Sequence, residues 1–246
     1  MADSDPDSDA RPEPDPDAVL DAIATTRAIR RYRPEPIPEA DLDRILFAAT
    51  RAPSGSNRQS FRFVVLRDGP RAVRAKALLG ETFRAGWNAK RAADGYDAGS
   101  GLEGDSPKAR MARTMQHFVD QFEHTPVVVL ACMVGRAGGF TDGGSVYPAC
   151  QNLLLAARAL GYGGVITMWH GSVEDQLKEL LGIPPEVLVA ATIPLGRPEG
   201  RHGPVRRRPV AELVFDDAWE SPAPWAHDPP GTRFTRAGPP PPRRHA

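Results

Sequence analysis

Three arginine-bearing stretches, far apart along the chain, carry the side chains best suited to hold an anion. Arg27, Arg30, Arg31 and Arg33 surround Tyr32; Arg58 and Arg62 flank a polar turn; Arg206, Arg207 and Arg208 precede Pro209. A guanidinium presents a planar fork of donors that matches phosphate and carboxylate oxygens, and each charge-assisted hydrogen bond is worth roughly 1.5–3 kcal/mol net. Solvated basic faces, or ion pairs with the 31 acidic residues, would give the same local pattern. The turn itself, Pro53-Ser54-Gly55-Ser56-Asn57, is built of small residues and backbone amides. A rigid strand following such a turn suits a large planar polar ligand whose edge needs many hydrogen bonds. An ordinary helix-to-strand connection would read alike.

Other chemistries find little support. The six histidines are scattered, with no HExxH and no pair at zinc spacing. There is no G-x-S-x-G elbow and no Walker A sequence. Gly161-Tyr162-Gly163-Gly164 follows a helix and lacks the dinucleotide spacing G-x-G-x-x-G. The formal net charge is +0, which gives no bulk electrostatic case for nucleic acid or an anionic membrane. No apolar run reaches the roughly 20 residues that span a bilayer, and the acidic N-terminus lacks the apolar core of a signal peptide. Cys132 and Cys150 lie in apolar settings without CxxC spacing, so we expect buried free thiols in a reducing cytoplasm.

The elements that must position these residues follow from periodicity. A helix is expected from Asp17 as N-cap, with Val19, Leu20 and Ile23 on one side. A second carries Leu42, Ile45, Leu46 and Ala49 after Pro38. Phe61–Leu66 reads as a strand and Arg71–Leu79 as a helix. Residues 80–107, with Phe83, Trp87 and Tyr96 among glycines, read as an irregular insertion, either a lid over a site or a surface excursion. A helix from Pro107 to Phe122 follows. Val127–Val134 is apolar at every position, the mark of a strand covered on both faces. Gly135–Gly144 reads as loop and Tyr147–Leu160 as a central buried helix closed by Gly161. Then come a strand over Gly163–Met168, a helix capped by Ser172, a strand over Val187–Leu195, and a last short strand over Glu212–Phe215. The pattern predicts one α/β (α+β) domain over residues 18–220. An acidic disordered tail over 1–17 and a Pro/Arg-rich tail over 221–246 would flank it.

Taken in sequence, Arg27-Ala-Ile-Arg30-Arg-Tyr32, Pro36-Ile-Pro38, Ala52-Pro-Ser-Gly-Ser-Asn-Arg-Gln59 and Phe61-Arg-Phe-Val-Val65 resemble the FMN-dependent nitroreductase family. That family opens on a basic R-R-S-x-R-x-F motif and continues with A-P-S-x-x-N-x-Q-P-W. The likeness runs on through Asn152–Gly161, the stretch ending near Thr167, Leu181-Gly-Ile-Pro184, Pro194-Leu-Gly196 and the terminal Arg-Arg-Pro, covering roughly residues 18–215. It implies a central, mostly antiparallel sheet flanked by helices, in an intertwined homodimer with FMN at the interface. It implies NAD(P)H as electron donor and a nitroaromatic, quinone or similar small molecule as acceptor, with no catalytic side-chain acid or base. Arg27 and Ala28 would touch the phosphate and ribityl chain and Arg30 the pyrimidine edge. Pro53, Ser54, Gly55 and Asn57 would line the ring and ribityl chain. Ile166, Thr167 and Met168 would lie by its other side, where an amide or hydroxyl can reach N5. Arg207, with Arg206 or Arg208, would hold the phosphate.

The chain departs from the family pattern at several positions. Thr26 stands where the first arginine is usual, Ala28 replaces serine, Ser60 replaces proline and Phe61 replaces tryptophan. The first two remove phosphate donors. The same scaffold also admits reductive dehalogenation, flavin breakdown, or flavin binding without catalysis.

Overall fold

The computed structural model describes residues 15–135 and 140–235. Its centre is a four-stranded sheet in the order β1-β2-β4-β3, with β1 at Phe61–Leu66, β2 at Val127–Met133, β3 at Gly163–Gly164 and β4 at Leu188–Gly196. Every neighbouring pair is antiparallel, and the β2–β4 register slips between Ala131 and Cys132. Six α-helices surround it among the described residues: α1 (Pro16–Thr25), α2 (Glu39–Thr50), α3 (Pro70–Ala93), α4 (Pro107–Asp120), α5 (Phe140–Ala159) and α6 (Glu174–Leu181). This is the expected antiparallel sheet flanked by helices.

Strand periodicity explains why β2 is apolar throughout. Side chains alternate between faces with a period of two. Val127, Val129, Ala131 and Met133 join the core formed with α2 and α5. Val128, Leu130 and Cys132 join a second core with α3, α4 and α6. Every residue of β2 is buried. At about 25 cal/mol per Å² of apolar surface removed from water, two such cores drive folding, and β2 belongs to both.

Several element boundaries differ from the sequence-based expectation. The cap of α1 is Asp15, not Asp17: its Oδ1 accepts the amides of Asp17 and Ala18, and Pro16 takes the first helical position. Residues 80–93 are not an irregular insertion but the second half of α3. Phe83 and Trp87 are buried core residues there. The irregular reading came from Gly95, Gly99, Gly101 and Gly104, which lie just beyond the end of the helix. Gly80 sits against Glu123, where a Cβ would overlap the carboxylate, and Gly86 faces the Trp169 ring. Close packing accounts for Gly80, whereas at Gly86 a Cβ would make only ordinary contact with the indole. Residues 94–106 do form turns, but Tyr96 stacks on Trp87 with ring centroids 5.2 Å apart and Arg91 pairs with Asp97.

Helix α5 begins at Phe140, inside the stretch expected to be loop; residues 136–139 lie outside the described residues. Ser172 does not cap α6. A 3-10 turn over Trp169–Val173 feeds straight into it, held by the buried His170. The expected strand 163–168 shortens to Gly163–Gly164, with Thr167 rejoining the sheet through a single bridge to Thr192. The last expected strand is replaced by a 3-10 turn over Val210–Glu212 and one bridge from Phe215 to Pro222. Beyond Ser221, Ala223 and Ala226 are buried and Phe234 bridges to Arg207, so the chain keeps defined contacts up to Thr235. The remaining residues of both expected tails, 1–14 and 236–246, lie outside the described residues.

Candidate active site

The segment after α1 is laid along one edge of the sheet. The Ile29 amide donates to the Gly164 carbonyl at 3.0 Å, Arg33 to Arg197 at 2.8 Å, and Glu199 donates back to Arg31 at 3.1 Å. Tyr32 donates its hydroxyl to the carbonyls of Ile29 at 2.6 Å and Pro194 at 3.2 Å. Burial raises the Tyr32 pKa well above its ordinary value, so the phenol stays a donor. Glycines make this close approach possible. A Cβ on Gly163 would overlap the Ile29 side chain and come within 3.0 Å of His202 Nε2. A Cβ on Gly196 would come within 3.0 Å of the Tyr32 ring. The sequence G-Y-G-G and the end of β4 are therefore glycine because another segment lies on top of them.

This anchoring projects Arg30 into a cleft of about 310 Å³. Its walls include Ile166, Thr167 and Met168 from the stretch after β3, Trp169, and Met115 and Phe118 from α4. Arg30 is half-buried, and among the described residues no carboxylate pairs with it. Burial lowers its pKa from the ordinary arginine value, opposed by the nearby Tyr32. A positive group in a partly apolar cleft without a counter-ion is an incomplete electrostatic arrangement that an anionic or electron-rich ligand edge completes.

The floor of the cleft is fixed from behind. Thr167 exchanges both backbone hydrogen bonds with Thr192 on β4, at 3.0 and 2.8 Å. His170 donates from Nε2 to the Val189 carbonyl at 2.6 Å and accepts from the Thr192 hydroxyl at Nδ1 at 3.1 Å. That assignment needs a neutral ring, and burial lowers the His170 pKa accordingly. Trp169 packs edge-on against Phe83 of α3, with ring centroids 5.5 Å apart.

The structure brings the expected site residues together in three groups. Arg30, Ile166, Thr167 and Met168 share the cleft. Arg27 and Ala28 are exposed just beyond α1, and the Arg27 amide donates to His202 Nδ1 at 3.3 Å. The chain after His202 runs beside the end of α1, with Gly203 donating to Thr25 and Val205 to Ala24, both at 3.2 Å. That brings Arg206 and Arg207 back toward Arg27; both are exposed, while Arg208 is drawn into an ion pair with Glu212 at 2.6 Å.

The third group, the turn Pro53, Ser54, Gly55 and Asn57, does not line the Arg30 cleft. It lies against the start of α5, where the Gly55 amide donates to Ser145 Oγ at 3.1 Å. Ser54 Oγ accepts the Gln59 amide at 2.9 Å, and Asn57 accepts from the Gln59 side chain at 3.2 Å. Ser56, Asn57 and Gln59 all take positive φ, at 53°, 50° and 49°. Asn tolerates that conformation, but Ser and Gln adopt it at a cost of order 1–3 kcal/mol each, a pattern concentrated at ligand-holding turns. Two residues beyond Ser145, Tyr147 places its hydroxyl 4.0 Å from Met168 Sδ, so α5 links the turn to the cleft.

Sequence reasoning missed Trp169, Met115 and Phe118 as lining residues. The i, i+3 spacing of Met115 and Phe118 marks one face of α4, but nothing local says which cavity that face borders. It also missed Tyr32 and His202 as the residues that hold the Arg27–Arg30 segment in place. Among the described residues, no group of three or more His, Cys, Asp or Glu could hold a metal ion, and no helix is long and apolar enough to cross a membrane.

The Nitroreductase family profile matches residues 23–197. A NADH dehydrogenase of Thermus thermophilus is 32% identical over 201 residues, covering 77% of this chain and 91% of that protein. A Desulfovibrio desulfuricans protein assigned as a nitroreductase, solved in complex with FMN, aligns with a TM-score of 0.60 at 28% identity, over 84% of this chain and 99% of that one. An iodotyrosine deiodinase bound to FMN and 3-iodo-L-tyrosine shares the fold, with a TM-score of 0.59 at 19% identity over 82% and 99% of the two chains. With its profile match running from the end of α1 through β4, the chain belongs to the Nitroreductase family.

Proposed function

We propose that this protein is an FMN-dependent oxidoreductase that takes electrons from NAD(P)H and reduces a small acceptor such as a nitroaromatic or quinone. The observation that carries the reading is Arg30, half-buried without a carboxylate partner beside Ile166, Thr167 and Met168. The donor set fits FMN: a cation for the electron-rich pyrimidine edge, exposed arginines at 27, 206 and 207 for a phosphate, and a strained polar turn at 53–57. FMN supplies two-electron transfer between a nicotinamide and an acceptor, chemistry that no side chain provides.

The chain's own residues would bind, orient and shield. Arg30 would stabilise negative charge that develops on the ligand's pyrimidine edge. The Thr167 amide is already spent on Thr192, so a ligand atom beside this stretch would use the neighbouring amides of Ile166 and Met168. Met115, Phe118 and Trp169 would exclude water from the reacting face.

A homodimer completes the proposal. No residue of α1 is buried, and Val19, Leu20 and Ile23 are 54%, 62% and 52% exposed, with Phe47 of α2 at 61%. Exposed apolar side chains of this kind are covered in a stable assembly. The turn at 53–57 stands apart from the Arg30 cleft of its own chain, which suits a site shared between two copies. Two buried free cysteines fit a reducing cytoplasm.

The test is direct. Purified protein should be yellow, release FMN on denaturation, and bleach on anaerobic addition of NADH or NADPH. A colourless preparation that takes up no added FMN would overturn the proposal. Flavin that no nicotinamide bleaches would reduce the protein to a flavin binder.

A further inference from the structure

A second basic pocket, of about 400 Å³, shares no lining residue with the Arg30 cleft. Arg33, Arg158, Arg197, Arg201 and His202 surround it, with Gly161 on its wall. The fold places them there for separate reasons. Gly161 turns the chain just past α5 with φ of 81°, and Arg158 stands in the last turn of that helix. Arg197 and Arg201 follow directly on β4, and the Arg33 amide is bonded to the Arg197 carbonyl at 2.8 Å.

The charge here is only partly balanced by the protein. No carboxylate lines the pocket. Arg158 reaches Asp21 only at 3.5 Å, with the Asp21 side chain 65% exposed. Arg197 lies over the Tyr162 ring, its guanidinium carbon 4.9 Å from the centroid, and among the described residues it has no ion pair. Arg33 and Arg201 are exposed and likewise have no ion pair among the described residues. Arg158 Nε is the one buried side-chain nitrogen or oxygen among the described residues that has no hydrogen-bond partner. His202 is committed on both nitrogens, to the Tyr162 carbonyl at 2.9 Å and to the Arg27 amide at 3.3 Å, so its ring is neutral and adds no charge. Three guanidiniums without an ion pair, gathered beside Arg158 with its one largely exposed partner, repel one another, and a buried unpaired donor among them is costly.

We propose that this pocket binds a phosphoryl or pyrophosphoryl group, at a site distinct from the arginines assigned to the flavin phosphate. A phosphoryl group brings nearly two negative charges and three strong acceptor oxygens, which match several converging guanidinium forks better than a single carboxylate does. The ligand is either a free phosphate or the phosphates of a nucleotide. The pocket is tied to the working site through two hydrogen bonds, the Arg33 amide to the Arg197 carbonyl and the Arg27 amide to the His202 ring, which hold the segment that carries Arg27 and Arg30.

The experiment is calorimetric titration of FMN-saturated protein with inorganic pyrophosphate at fixed ionic strength. It compares the native protein with an Arg33→Ala/Arg201→Ala double variant and with Arg207→Ala. Arg33 and Arg201 are exposed, and a thermal melt checks that the double variant folds. The expected result is one site per chain, weakened about tenfold or more in the double variant and weakened by added salt, with Arg207→Ala unchanged. Absence of pyrophosphate binding, or equal binding in the double variant, overturns the proposal. Loss of binding in Arg207→Ala also overturns it, because the anion then belongs with the flavin-phosphate arginines. If the protein takes up no FMN, the same titration on the flavin-free chain still decides the pocket. ADP in place of pyrophosphate separates the sources: tighter binding identifies a nucleotide, and equal binding a free phosphate.

Discussion

Replacing Arg30 by methionine separates a side chain kept for function from one kept for the fold. In the folded chain the guanidinium is half-buried, has no carboxylate partner among the described residues, and has its pKa lowered by burial. Its charge is thus a cost to the flavin-free protein. Methionine has a similar reach and would pack against Met115, Phe118 and Trp169. The flavin-free Arg30→Met protein should therefore melt at or slightly above the native temperature, with a gain of zero to about 1 kcal/mol, up to roughly 2–4 °C for a chain of this size. The ligand would lose its charge-assisted contacts, worth about 1.5–3 kcal/mol, so FMN affinity should fall about 10- to 150-fold. Circular dichroism melts of the flavin-free proteins and fluorescence quenching of FMN measure the two quantities independently. A variant destabilised by more than about 2 kcal/mol with unchanged FMN affinity would refute the reasoning and make Arg30 a structural residue.

Three further outcomes follow from the geometry. Gly163→Ala would press a Cβ into Ile29, the overpacking should cost about 1–3 kcal/mol, and FMN retention should fall with stability because Ile29 anchors the Arg27–Arg30 segment; unchanged melting and binding would deny that the close approach matters. His170 has a folded pKa below its ordinary 6.5, so its contribution to stability is fully present above about 6.5 and is lost as pH falls below that value toward the depressed folded pKa; a melt series from pH 8 to 5 should show this slope, and His170→Asn should flatten it. Burial pushes Cys132 up to about 11 and Cys150 up to about 12, so neither thiol should react with a thiol reagent at neutral pH until the protein unfolds, and rapid labelling of native protein would contradict their burial.

What the sequence made legible depended on whether the cause was local. The apolar run 127–134 announced a doubly covered strand, because burial on both faces abolishes alternation. Gly161 announced the end of α5, because a left-handed residue is needed there and glycine supplies it. The second half of α3 was misread for the opposite reason. The glycines at 95, 99, 101 and 104 lie beyond the helix, while Phe83 and Trp87 are buried by Phe118, Phe122, Trp169 and Gln116, which come from other elements. The cleft was half legible: Arg30 and Ile166–Met168 could be named from the family resemblance, whereas Met115 and Phe118 reach it only through the packing of α4, which no local pattern records. The pocket around Arg158 and Arg197 was invisible to motif reasoning, since its arginines come from the first loop, the end of α5 and the loop after β4.

The segment from Ile29 to Arg33 also guards the sheet. It pairs with Gly164 and with the residues that extend β4, covering backbone groups that would otherwise form an open strand edge. Uncovered edges recruit strands from other chains. Because the same segment carries Arg30, a fluctuation that lifts it would lose the ligand and bare the edge together. Bound ligand therefore disfavours the association-prone state by mass action, so cofactor supply during expression should govern how much of the protein stays out of aggregates.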